Sequence, residues 1–144
     1  MTPSEQIVIA VETARQDGLK ILLPKVISRD GAESVYGACF FEYEENRTVK
    51  SPDRRLIGCC PLGAVIYALT DPLPKTRGQC CALASYMTAA NYLGVDWDWV
   101  RGFSAGYNRG ISGIYVPRED FNLRTHFNAE AFDFGYEMYQ KVKG

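Results

Sequence analysis

Residues 59–69 read CCPLGAVIYAL, two adjacent cysteines and a proline heading an apolar run. Proline suits the first position of a helix, where its missing N–H has no intrahelical acceptor to lose. Cys60 is then the N-cap, and the spacing predicts a helix from Pro61 that ends before TDPLP. A helix apolar on every face belongs in a core. Farther along, residues 80–90 read CCALASYMTAA and match at Cys59/Cys80, Cys60/Cys81, Leu62/Leu83 and Ala68/Ala89. So few matches fall short of the longer, more numerous periods of solenoid proteins.

Working outward, the start is equally well marked. In TPSE, Thr2 is an N-cap, Pro3 a first helical residue and Glu5 the partner in a capping box. Ile7, Val8, Val11 and Ala14 follow at helical spacing, and Gly18 is a stop. From Leu19 to Asp53 the pattern changes. KILL and VYGACFFEYE look like strands, with acids at Glu42, Glu44 and Glu45 and bases at Arg47, Lys50, Arg54 and Arg55. TRGQ at 76–79 opens a helix expected to run to about Leu93, closed by Gly94. Asp96 caps a helix closed by Gly110, and the stretch from Ile111 to Thr125 reads as loop with a short strand at GIYVP. Asn128 caps the last helix, with Phe127 and Phe132 placed as a hydrophobic staple. The expected fold is mainly α (α+β): one domain over 1–144, a compact bundle of about five helices. A small β-hairpin or irregular β excursion occupies its N-terminal half.

Composition narrows the functional classes. The chain has 144 residues, enough for one domain with a real core, and nine Tyr, seven Phe and two Trp to fill it. Sixteen basic and 17 acidic side chains leave a formal charge of −1, without the basic excess of nucleic-acid binders. The longest apolar run is too short to span a bilayer, and MTPSEQIVIA lacks the layout of a secretory signal. Five cysteines, four of them in vicinal pairs, fit free thiols in a reducing compartment better than a disulfide framework. A cytoplasmic location is expected, with no nucleic-acid or membrane partner.

The thiols admit two kinds of chemistry. Zinc needs four converging ligands, usually spaced C-x₂₋₄-C so that the backbone can turn between them. Adjacent residues diverge on a helix and on a strand, so Cys59, Cys60, Cys80 and Cys81 are expected to pack as small hydrophobes and to bind no metal or cofactor. Nucleophilic catalysis is the sharper option. Cys60 sits at a helix N-terminus, where the dipole favours a thiolate. Separately, RGQCCALASYM resembles the nucleophile-bearing helix of papain-like cysteine peptidases, which would make Cys81 the nucleophile; for either Cys60 or Cys81 the base would have to be His126, the one histidine. In that family the oxyanion-hole glutamine precedes the nucleophile by six residues, and this chain has Pro74 and Lys75 there.

DWDWVRGFSAGYNRG, residues 96–110, carries the strongest surface signal. Trp99, Gly102, Phe103, Gly106 and Tyr107 share one helical face. Glycine costs about 1 kcal/mol relative to alanine inside a helix, so two of them on one face require a close neighbour. The last helix has a matching pair, Ala131 and Gly135, beside Phe132, Tyr136 and Tyr139, and the two grooves are expected to pack together. The edge of the helix capped by Asp96, at Trp97, Arg101 and Asn108 with Arg109 following, is the candidate binding surface, with the charged excursion at 42–55 as a second one.

Cys60, Leu62, Gly63 and Ala64, followed by Trp99, Val100, Gly102, Phe103, Gly106 and Tyr107, make a pattern that resembles small uncharacterised proteins of bacteria and their phages. The resemblance covers residues 59–110 and implies a compact intracellular helical domain. The expectation is a phage- or bacterium-encoded interaction module without catalytic activity, contacting a protein partner or a second copy of itself. The alternative is a cysteine hydrolase built on Cys60 or Cys81 with His126. Elemental analysis of purified protein should find far less than one zinc per chain, with or without substitution of Cys59 or Cys80.

Overall fold

The computed structural model describes residues 1–29, 32–45, 48–108 and 127–144. Among them the chain is mainly helical with a small β part, and it divides into two compact units. The first comprises Met1–Leu22 and Cys39–Val95; the second comprises Leu23–Ala38 and Asp96–Gly144.

In the first unit, helix α1 (Pro3–Gln16) begins as its sequence predicts. The Thr2 hydroxyl accepts from the Glu5 N–H and donates to the Glu5 carboxylate. Its buried face is Ile7, Ala10, Val11 and Ala14, and Gly18 leaves the helix at φ +87°. Strand β1 (Lys20–Ile21) pairs in parallel with β5 (Leu56–Cys59), and β4 (Phe41–Tyr43) pairs antiparallel on β5's other side. A single-turn 3-10 helix, Ser51–Asp53, lies in the β4–β5 connection. The described part of the charged excursion thus flanks a small hairpin, with Glu45 and Arg55 exposed and Glu42, Glu44 and Arg54 half-buried. Lys20 pairs with Glu42 at 2.8 Å.

Strand β5 passes into helix α2 (Pro61–Leu69) through Cys60 alone. Seven of the nine α2 residues are buried, and the helix packs against α1 and the helix at Tyr86–Leu93. Burying a side chain such as Leu62, Val65 or Ile66 stabilises by about 1.5–3 kcal/mol each, which makes α2 the unit's core. The helix expected over 76–93 is two helices, α3 (Arg77–Cys81) and α4 (Tyr86–Leu93). The physical reason is Ser85. Its hydroxyl accepts from the Thr88 N–H at 3.0 Å and starts a new helix, while Leu83 and Ala84 turn back onto the Cys80 carbonyl. The Thr76–Gln79 capping box forms in full, and Gly94 closes α4 in the left-handed conformation at φ +68°.

In the second unit a hairpin joins β2 (Lys25–Arg29) to β3 (Ala32–Tyr36), in register from Lys25↔Tyr36 to Arg29↔Ala32. Helix α5 (Trp97–Tyr107), capped by Asp96, packs along α6 (Ala129–Lys143), capped by Asn128. Contacts advance together along both: Gly102 meets Asn128 and Ala131, Gly106 meets Phe132, and Tyr107 meets Tyr139. The two helices therefore run parallel. The expected groove-to-groove packing is present and very close. A Cβ on Gly106 would stand 2.0 Å from the Phe132 carbonyl oxygen, and one on Gly135 2.2 Å from that of Phe103. Backbone lies against backbone here, so neither neighbour can rotate away. Trp99, Phe103 and Tyr107 stack along α5, and Phe134 and Tyr139 close over them.

Gly106→Ala should therefore destabilise by about 1–3 kcal/mol or more, through overpacking against a carbonyl that cannot yield. A thermal melt checks this beside Gly94→Asn, which should be close to neutral because nothing lies within 4 Å there and asparagine accepts the left-handed conformation.

Candidate functional site

Cys60 sits where its sequence context puts it. It caps α2, and its sulfur accepts from the Gly63 N–H at 3.4 Å. The helix terminus favours the thiolate, and burial opposes it. Burial wins. Cys60 is 7 % exposed, and its pKa is pushed up to about 11 by loss of water, against the lowering effect of the Gly63 and Leu62 amides. Cys59 and Cys80 are fully buried and likewise held neutral, Cys80 with a pKa near 11. Cys39 and Cys81 are exposed, and all five thiols are free. Cys81 Sγ lies 4.0 Å from the Tyr43 hydroxyl, whose own pKa is raised by burial and then by the two neighbouring thiols Cys80 and Cys81. His126 lies outside the described residues, so the hydrolase pairing has no geometry here. Among the described residues no group of three or more His, Cys, Asp or Glu side chains is arranged to hold a metal ion.

The α5 edge divides. Trp97 is 42 % exposed at the first turn of the helix. Half-buried Arg101, one turn on, places its guanidinium 5.9 Å from the Trp97 ring centre and 5.1 Å from that of Phe127. The cation is held between two aromatic faces, an attraction of about 0.5–2 kcal/mol per contact. Asn108 is a correction to the expected edge. Asn108, the cap that follows Tyr107, keeps the helical register: its N–H donates to the Ser104 carbonyl at 2.9 Å, and its side chain lies on the buried side over Ser104. It is 4 % exposed; its Nδ2 donates to Ser104 Oγ at 3.2 Å, and its Oδ1 accepts from the Ala38 N–H at 2.8 Å. This amide ties the exit of the β2–β3 hairpin to the end of α5. Arg109 lies outside the described residues.

A second place in the molecule was not singled out by the sequence. In the first unit a cleft of about 410 Å³ opens at the C-terminal end of α1, lined by residues of the 17–19, 55–57 and 74–75 segments and by Tyr67. The Tyr67 hydroxyl donates to Asp17 Oδ2 at 2.6 Å. A carboxylate at a helix C-terminus meets the negative end of the macrodipole, and this short bond offsets that repulsion. Burial, and next the bond to Asp17, keep the Tyr67 phenol protonated well above its ordinary range. The only sequence signal for this site was a tyrosine inside an otherwise apolar helix, because Asp17, Tyr67 and Lys75 are brought together by the fold.

No family model, no curated protein and no solved structure matches this chain. No helix among the described residues is long and apolar enough to cross a membrane.

Native protein treated with iodoacetamide near pH 8 should label at Cys39 and Cys81 first, with Cys59, Cys60 and Cys80 labelled only as the chain opens. Peptide mass spectrometry reads the order. The same burial sets a pH dependence. Above about pH 8.5 the unfolded chain releases thiol protons that the native chain retains, so stability should fall as pH rises from there toward 11. Cys60→Ser, which keeps a capping acceptor and removes a titrating thiol, should flatten that fall.

Proposed function

We propose that this protein is a small interaction module that contacts a protein partner through the exposed N-terminal edge of α5. The observation that carries the reading is Trp97 standing beside the Arg101 guanidinium, itself held between the Trp97 and Phe127 rings. Tryptophan and arginine are the side chains most enriched at binding hot spots, since each offers a large contact area with a directional polar group. The contact between α5 and α6 supports the same reading. It rigidifies the helix that carries the edge, so docking would cost little conformational entropy. Nothing comparable supports hydrolysis. The Cys60 thiol is covered and neutral, and its sulfur already serves the first turn of α2.

The test compares wild type with Trp97→Ser and Arg101→Glu in affinity capture from bacterial lysate, read by mass spectrometry. Both variants should remain folded by circular dichroism at the assay temperature and lose the same captured protein, by about tenfold or more in yield at hot-spot strength. Identical capture by all three chains would overturn the reading. Sedimentation of the pure protein distinguishes a second copy of the chain from a different partner, because self-association that the same two substitutions abolish makes the chain its own partner.

A further inference from the structure

We propose that the cleft at the C-terminal end of α1 binds a small organic anion with an apolar body and a hydrogen-bond donor. The inference rests on the first unit alone and stands apart from the α5 edge. The cleft's volume of about 410 Å³ lies within the range of about 300–1,000 Å³ typical of small-molecule sites. Its lining mixes polar groups with the buried apolar side chains of Leu19, Leu56 and Pro74 and the ring of Tyr67. Its rim is charged and exposed, with Arg55 and Lys75 against Asp17.

The two cations are brought to neighbouring chain segments by backbone pairing. The Leu56 N–H donates to the Lys75 carbonyl at 2.8 Å, and Arg55 bridges to Thr76. Among the described residues Lys75 has no carboxylate within ion-pair distance, and Arg55 meets Glu44 only through Nε at 3.8 Å. With Lys75 outside ion-pair distance of any described carboxylate and Arg55 only loosely paired, the two cations favour an anionic head group over a cationic one. Asp17 supplies an acceptor on the same rim. Its Oδ2 is taken by Tyr67, and Oδ1 has no partner among the described residues, so it accepts a hydroxyl or N–H from the ligand. Arginine and lysine recognise carboxylates and phosphates alike, so the shared chemistry is an oxyanion on a ring-sized body.

Isotope-labelled full-length protein titrated at low salt, with amide resonances of Gly18, Leu19, Leu56 and Ile57 followed, tests the proposal. The probes are 4-hydroxybenzoate, benzoate, inorganic phosphate and benzylamine. Saturable shifts confined to those amides are expected with 4-hydroxybenzoate, with weaker binding of benzoate and none of benzylamine. Lys75→Gln and Arg55→Gln, both exposed and expected to melt as wild type, should each weaken 4-hydroxybenzoate by about fivefold or more through loss of one charge-assisted contact. Asp17→Asn should bring 4-hydroxybenzoate close to benzoate. Any one of four results overturns the proposal: benzylamine binding as tightly as the anion, inorganic phosphate matching 4-hydroxybenzoate, affinity unchanged in both cation variants, or no saturable shift up to about 10 mM ligand.

Discussion

The first unit depends on one junction, the single residue between strand β5 and helix α2. At Cys60 the backbone N–H still belongs to the sheet side, donating to the Phe40 carbonyl at 3.2 Å. Its side chain already belongs to the helix, accepting the Gly63 N–H. Glycine at 63 is obligatory for the same reason. A Cβ there would lie 2.0 Å from that same Phe40 carbonyl oxygen. The sheet edge and the first turn of the helix therefore share one oxygen, one sulfur and a missing methyl group. Serine or aspartate would cap the helix more strongly, but cysteine tolerates burial without a second hydrogen bond. The thiol's inertness and its structural use have one cause.

The second unit uses the same device at larger scale. Gly102, Gly106 and Gly135 remove the side chains that would separate α5 from α6, and carbonyl oxygens occupy the space. Aromatic rings on either side of this seam take up the width that the glycines leave. A parallel pair also aligns the two helix dipoles, a repulsion that the buried ring contacts outweigh. Arg101 is anchored at the end where this seam begins, which is why the exposed part of α5 is its first turn and not its last.

Function follows from what each unit leaves uncovered. Buried thiols at Cys59, Cys60 and Cys80 take no part in surface chemistry. Among the described residues, exposed Trp97 stands beside half-buried Arg101 in one unit, and Asp17, Arg55 and Lys75 rim a cleft in the other. The recognition proposed for each is aromatic and cationic in the first case and bipolar in the second.

Much of this architecture was legible in the residues. Caps at Thr2, Cys60, Thr76, Asp96 and Asn128 were readable because capping is a local contest between a side chain and the next three amides. The glycine spacing on α5 and α6 was readable because a helix repeats its face regularly. The burial of Asn108 was not, since helical spacing groups it with Trp97 and Arg101 but does not say which end of the helix the rest of the fold covers. The break at Ala82–Ser85 was hidden too: apolar periodicity carried across it, and only the Ser85 cap marks it. Whether the Cys60 thiol ionises was beyond the sequence altogether. Local structure supplies the dipole that lowers its pKa, but the opposing desolvation is a property of how much of the folded chain covers it. The cleft at Asp17 is of the same kind, because residues 17, 55, 67 and 75 share no local pattern and meet only when α1, β5 and α2 pack.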